Sequence, residues 1–170
     1  MIQKLTSYLL ILLLANQVNA QTTRYIIIRH AEKDTTIANA KMMASDPPLN
    51  GIGETRALSL VDKFKALKVN QIYSTNYKRT KATATPIAKA QNLNIAIYDP
   101  RKIDTFATQL LSSENIGKTI LIVGHSNSSP KLVNLLIKKD QYKDLDESIY
   151  DTYWIVTNKN GKTKAKMMKY

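Results

Sequence analysis

Tyr25-Ile26-Ile27-Ile28-Arg29-His30 and Thr119-Ile120-Leu121-Ile122-Val123-Gly124-His125 decide how this chain is to be read. Each is a short aliphatic run without the polar alternation of a one-sided strand. Continuous runs of this kind belong to strands buried on both faces, as in parallel sheets covered by helices. Each run then ends at a histidine, with Arg29 before the first and Gly124 before the second. In parallel α/β sheets, ligands bind beyond the carboxyl ends of the strands. The chain's two histidines are therefore expected in one crevice, although far apart in sequence.

Outward from these runs, apolar strands alternate with amphipathic helices. Residues 32–48 are polar, close on Asp46-Pro47-Pro48, and read as a long loop. Asn50 is placed to cap a helix that carries Ala57, Leu58, Leu60, Val61, Phe64 and Leu67 at helical spacing. Gln71-Ile72-Tyr73 reads as a strand and residues 78–90 as a helix, with Pro86 expected to kink it or mark a late start. Residues 94–98 give another strand and 103–111 another helix. Ser129 and Pro130 are expected as cap and first-turn residue of a helix through Leu132, Val133, Leu135 and Leu136. Asn160-Gly161, between residues 153–156 and 164–170, signals a hairpin. The expected class is α/β: a three-layer α/β/α sandwich with a mainly parallel central sheet and a C-terminal β-hairpin.

Residues 1–20 have the order of a secretory signal peptide: Lys4, the apolar run Tyr8-Leu9-Leu10-Ile11-Leu12-Leu13-Leu14-Ala15, then Val18 and Ala20 as the small residues of a cleavage site. The run is shorter than the ~20 apolar residues of a spanning helix. Cleavage after Ala20 is expected, leaving no stable membrane anchor and a secreted or periplasmic protein. Residues 21–170 then form a single domain, long enough for its own core. With no cysteine, neither disulfides nor a lipid-modified cysteine can hold it. Lys4 is the only charge in the leader, so 24 basic and 13 acidic residues remain, a net charge of +11. Such a field draws anions. Some of it has a structural use: Lys164, Lys166 and Lys169 suit an edge strand that resists aggregation. Nucleic acid is not an expected partner, because charge comes without aromatic interleaving or a known motif.

Arginine presents a planar fork of donors that matches phosphate oxygens. A neutral imidazole is a competent nucleophile near neutral pH. One neutral and one protonated imidazole among arginines would suit attack on a phosphoryl group, where catalysis is mostly positioning and charge stabilisation.

At these residues the chain resembles the histidine phosphatase superfamily, which includes the cofactor-dependent phosphoglycerate mutases. Arg29-His30-Ala31-Glu32-Lys33 is similar to the family's Arg-His-Gly signature, and Leu49-Asn50-Gly51-Ile52-Gly53-Glu54-Thr55-Arg56-Ala57 to its next helix start. Tyr73-Ser74-Thr75 with Arg79-Thr80-Lys81-Ala82-Thr83-Ala84, and then Gly124-His125-Ser126-Asn127, follow in the family's order. The resemblance implies that His30 takes the phosphoryl group, while Arg29, Arg79 and His125 bind its oxygens; backbone N–H groups around Ser126 and Asn127, just before an expected helix start, would add donors. It implies a phosphohistidine that water hydrolyses, with no cofactor. A leaving alkoxide needs a proton. The family's acid follows the third strand, which nominates Asp99 first; Asp104, Glu32 and Asp34 are the other candidates, or no acid at all. Ala31 stands where glycine is usual, and Arg56, where glutamine is common, adds positive potential near the pocket.

The expectation is a metal-independent, histidine acid phosphatase-like phosphomonoesterase, favoured over a mutase because the chain is too short for enclosing insertions. Its substrate would be a phosphorylated small molecule, envelope glycan or phosphoprotein. The alternative is a non-catalytic phospholigand-binding module of the same fold. A serine hydrolase using Ser126 lacks the closing glycine of a nucleophile elbow. Two histidines without cysteine offer no supported metal cage.

Overall fold

The computed structural model describes residues 21–36 and 46–170; the expected signal peptide and the middle of the expected loop, 37–45, lie outside the described residues. The strands are β1 (Thr22–Arg29), β2 (Gln71–Ser74), β3 (Ile95–Ile97), β4 (Thr119–Gly124), β5 (Thr152–Lys159) and β6 (Lys162–Lys169). The helices are α1 (Gly51–Phe64), α2 (Lys78–Ala90), α3 (Ile103–Leu110) and α4 (Ser128–Ile137). All six strands join one sheet in the order β3-β2-β4-β1-β5-β6. β1, β4, β2 and β3 pair in parallel, and the hairpin adds β5 antiparallel to β1. The expected sandwich is the observed one.

Alternating residues of β1 explain the layers. Tyr25 and Ile27 pack with Phe106, Leu110, Leu132 and Leu136, so α3 and α4 cover one face. Ile26 and Ile28 pack with Leu60, Phe64, Ala84 and Ile87, so α1 and α2 cover the other. A strand buried on both faces needs apolar residues at every position, which is why β1 and β4 read as unbroken runs. Among the described residues no helix is long and apolar enough to cross a membrane.

Three details depart from expectation or sharpen it. Helix α2 starts at Lys78 and runs through Pro86, so the proline does not delay the start. Thr83, Ala84, Ile87 and Ala88 are buried along that helix, and their packing outweighs one lost backbone bond. Helix α4 begins one residue before the expected cap. The Ser128 hydroxyl accepts the His125 N–H at 3.0 Å, while the Ser129 hydroxyl donates to the Ile28 carbonyl at 3.1 Å and ties α4 to β1. The Asn160-Gly161 turn has φ of 52° and 79°, the two positive values that match the twist of a tight hairpin. β6 then lies at the sheet edge, with Lys162, Lys164, Lys166 and Lys169 exposed.

Candidate active site

The register of the two central strands builds the site. Arg29 pairs with Gly124, and the His30 N–H donates to the Gly124 carbonyl at 2.9 Å. One step further, the two histidines come side by side, with ring centroids 5.4 Å apart and planes at 70°. Gly124 is needed there: a Cβ would fall within 2.9 Å of the Ser128, Ser129 and Tyr98 hydroxyls. Arg29, His30, Arg79 and His125 are each 1–3% exposed. Four such polar side chains in one place are costly unless something satisfies them.

His30 is held by its own neighbourhood. Its Nδ1–H donates to the Ala31 carbonyl at 2.7 Å, leaving Nε2 unprotonated. Arg79 Nε donates to that Nε2 at 3.2 Å. The Ala31 N–H donates to Thr83 Oγ1 at 3.0 Å, which donates in turn to the Arg79 carbonyl at 2.7 Å. The Ala31 methyl group packs with Leu49 and Ala57, so alanine in place of glycine is used as core. Burial, above all, lowers the His30 pKa well below the usual imidazole value, and His125, Arg79 and Arg29 push it the same way. His30 is thus a neutral, oriented imidazole.

His125 is also driven neutral, to about 4, first by burial and then by Arg79 and Arg29. The expected protonated partner is therefore not the state this cage favours by itself; an anion between the guanidinium groups would reverse the balance. His125 Nε2 lies 2.9 Å from Thr75 Oγ1. With Nε2 protonated, a consistent chain runs from His125 to Thr75, on to Thr80 Oγ1 at 3.0 Å, and back to the Thr75 carbonyl at 2.9 Å.

The arginines are clamped on one side and free on the other. Arg29 Nη1 donates to the Asp146 and Ile149 carbonyls at 2.9 and 2.8 Å. Tyr150 covers its guanidinium at 4.1 Å, and Tyr77 covers that of Arg79 at 4.7 Å. Among the described residues, Arg29 Nε, Arg29 Nη2 and Arg79 Nη1 are buried without a hydrogen-bond acceptor. Arg29 Nη2 does stand 3.1 Å from Glu147 Oε2, close enough for an ion pair but misaligned for a hydrogen bond. Three buried cationic donors beside an unprotonated imidazole nitrogen match the oxygens of a phosphoryl group.

The structure corrects several expectations. Asp99 is not joined to the cage: its carboxylate accepts from Arg101 Nε and Nη2 at 3.0 and 2.9 Å and caps the turn that starts at Pro100. Those bonds to Arg101 bring it down to about 2, so it is ionised at neutral pH. Glu32 receives Arg56 bidentately at 2.6–3.0 Å. That ion pair uses the Arg56 charge, so it adds no free positive potential. Asp34 is turned to Thr36, and Asp104 pairs with Lys131 at 3.8 Å. Ser126 adjoins the cage, but its hydroxyl donates to Glu147 Oε1 at 2.6 Å.

Sequence reasoning missed Asp46, Tyr77, Glu147 and Tyr150. Asp46 Oδ1 accepts the Lys78 N–H at 2.8 Å and lies 3.5 Å from Arg79 Nη1. Only Tyr77 carried a usable signal, since it immediately precedes the helix bearing Arg79. The others arrive from loops.

A family model described as histidine phosphatase superfamily (branch 1) matches residues 25–101. Phosphoserine phosphatase 1 of Hydrogenobacter thermophilus is 33% identical over 76 residues, 45% of this chain and 36% of that protein. "Probable phosphoglycerate mutase GpmB" of Escherichia coli O1:K1 / APEC is 28% identical over 94 residues, 49% of this chain and 44% of that protein. The chain thus spans less than half the length of the curated relatives it matches. Among solved structures, the alpha-ribazole phosphatase from Shigella flexneri superposes with a TM-score of 0.72 at 13% identity, covering 86% of this chain and 96% of that one. That last likeness is one of fold, and it extends beyond the family match to most of the sheet. Over residues 25–101, less than half of its length, the chain is similar to the histidine phosphatase superfamily (branch 1).

Proposed function

We propose that this chain is an exported phosphomonoesterase that works through a phosphohistidine on His30. One observation carries the reading: a buried imidazole with Nδ1 tied to the Ala31 carbonyl and an unprotonated Nε2 beside three guanidinium nitrogens that have no hydrogen-bond acceptor among the described residues. In the proposed cycle, Nε2 attacks phosphorus while Arg29 and Arg79 hold the non-bridging oxygens. As negative charge enters, His125 becomes protonated and adds a further donor. Water then attacks the phosphohistidine and frees inorganic phosphate. The phosphatase among the curated relatives supports hydrolysis of a small phosphomonoester; a phosphorylated glycan or protein is the larger alternative. Export rests on residues 1–20 of the sequence alone.

The test is His30→Ala with p-nitrophenyl phosphate. Loss of activity by roughly 10³-fold or more is expected, together with an acid-labile phosphoenzyme in the wild type that the variant lacks. Undiminished turnover in His30→Ala would overturn the assignment. Tight phosphate binding with neither turnover nor phosphoenzyme in the wild type would identify a binding module instead.

A further inference from the structure

Among the described residues, Glu147 is an acidic residue that touches the cage and is open to solvent. Its carboxylate bridges three groups from three parts of the chain: Arg29 Nη2 at 3.1 Å, Lys33 Nζ at 3.5 Å, and the Ser126 hydroxyl at 2.6 Å. The other acids near the site have fixed duties. Glu32 is locked to Arg56, Asp99 to Arg101, and Asp46 caps α2. Glu147 is also 65% exposed at its side chain, whereas the histidines are buried. It is therefore open to solvent beside the buried cage and can exchange protons with water.

We propose that Glu147 is the proton donor to the leaving oxygen, and the proton acceptor for the attacking water in the second half of the reaction. The inference rests on the phosphohistidine reading above. In the first half, a bond forms between His30 Nε2 and phosphorus as the phosphorus–oxygen bond to the leaving group breaks. Its electron pair stays on the leaving oxygen, which takes the Glu147 proton. In the second half, water attacks phosphorus, its proton passes to the Glu147 carboxylate, and the phosphorus–nitrogen electron pair returns to His30.

The site's electrostatics give this residue a way to be charged while empty-handed and protonated when needed. Arg29, Lys33 and the Ser126 hydroxyl favour the carboxylate, and Arg79 and His125 face it from α2 and the end of β4, with Tyr150 alongside. A phosphoryl dianion competes for the same Arg29 nitrogen. Its negative charge beside Glu147 favours uptake of a proton, at the moment the leaving group requires one.

The experiment compares wild type, Glu147→Gln and His30→Ala full chains on phosphate monoesters ranked by leaving group, from p-nitrophenyl through phenyl to a simple alkyl phosphate. In Glu147→Gln the loss should grow along the series, from a few-fold with p-nitrophenyl phosphate to about 10²-fold or more with the alkyl ester. Wild-type kcat/KM on the alkyl ester should fall as pH rises through the Glu147 titration, and that fall should be absent in this variant. Inhibition by inorganic phosphate should be at least as tight as in wild type, since a competing carboxylate is gone. A loss equal across the series, or no loss, would overturn the role of Glu147. Activity retained by His30→Ala would instead sink the phosphohistidine reading beneath it.

Discussion

Arg29 shows how one side chain serves both fold and site. One nitrogen ties the 146–149 loop through two carbonyls, and the other two face the cage. Replacing Arg29 with methionine keeps much of the buried stem but strands the Ile149 carbonyl, while the Asp146 carbonyl keeps the Ile149 N–H at 3.0 Å. An unsatisfied buried acceptor costs about 1–3 kcal/mol, so Arg29→Met should lower unfolding free energy by about 2 kcal/mol in urea melts. Amide exchange should quicken across residues 145–149. Arg79 has no such carbonyl partners, so Arg79→Met should weaken phosphate binding while leaving that loop's exchange unchanged. Equal loop protection in both variants would separate Arg29 from loop anchoring.

At the scale of elements, the nucleophile loop and helix α1 are fitted backbone to backbone. Asn50 caps α1 by accepting the Gly53 N–H at 2.9 Å, and the Asn50 N–H donates to the Glu32 carbonyl at 3.0 Å. A Cβ on Gly53 would stand 2.2 Å from that same carbonyl oxygen, a distance only backbone movement can relieve. Gly53→Ala should therefore cost more than the ordinary few tenths, roughly 2 kcal/mol by thermal melt. It should also reduce turnover more than phosphate affinity, because the displaced segment carries His30 and Ala31. Unchanged melting would mean that the approach is looser than described. The glycine could be read in the sequence as part of a motif; the carbonyl it makes room for could not.

The molecule as a whole should be acid-sensitive. Both imidazoles are depressed by burial, so between the ordinary histidine pKa and the folded one the unfolded chain binds more protons than the folded chain. Stability then falls as pH falls. For His125, a move from 6.5 to about 4 corresponds to on the order of 3 kcal/mol; His30 acts in the same direction. Melting temperature should drop steadily from pH 7 to pH 4.5, and His125→Gln should flatten part of that slope. Inorganic phosphate should flatten it too, since an anion in the cage favours the protonated ring. A pH-independent melting temperature over this range would contradict the burial of the pair.

Much of this protein was legible in its sequence because the relevant signals are local. Unbroken aliphatic runs mark doubly buried strands, Asn50 and Asn160-Gly161 mark a cap and a turn, and a residue at a strand end is bound to face the ligand side of a parallel sheet. The pairing of His30 with His125 follows once those two strands are neighbours. Folding alone decided which charges remain free. Arg56 and Asp99 looked available as letters, yet each has a counter-ion within 3 Å. Glu147 carried no signal, but a loop returning from far along the chain sets it against Arg29. Ion pairing depends on distances between segments remote in sequence, and residue spacing carries no record of them.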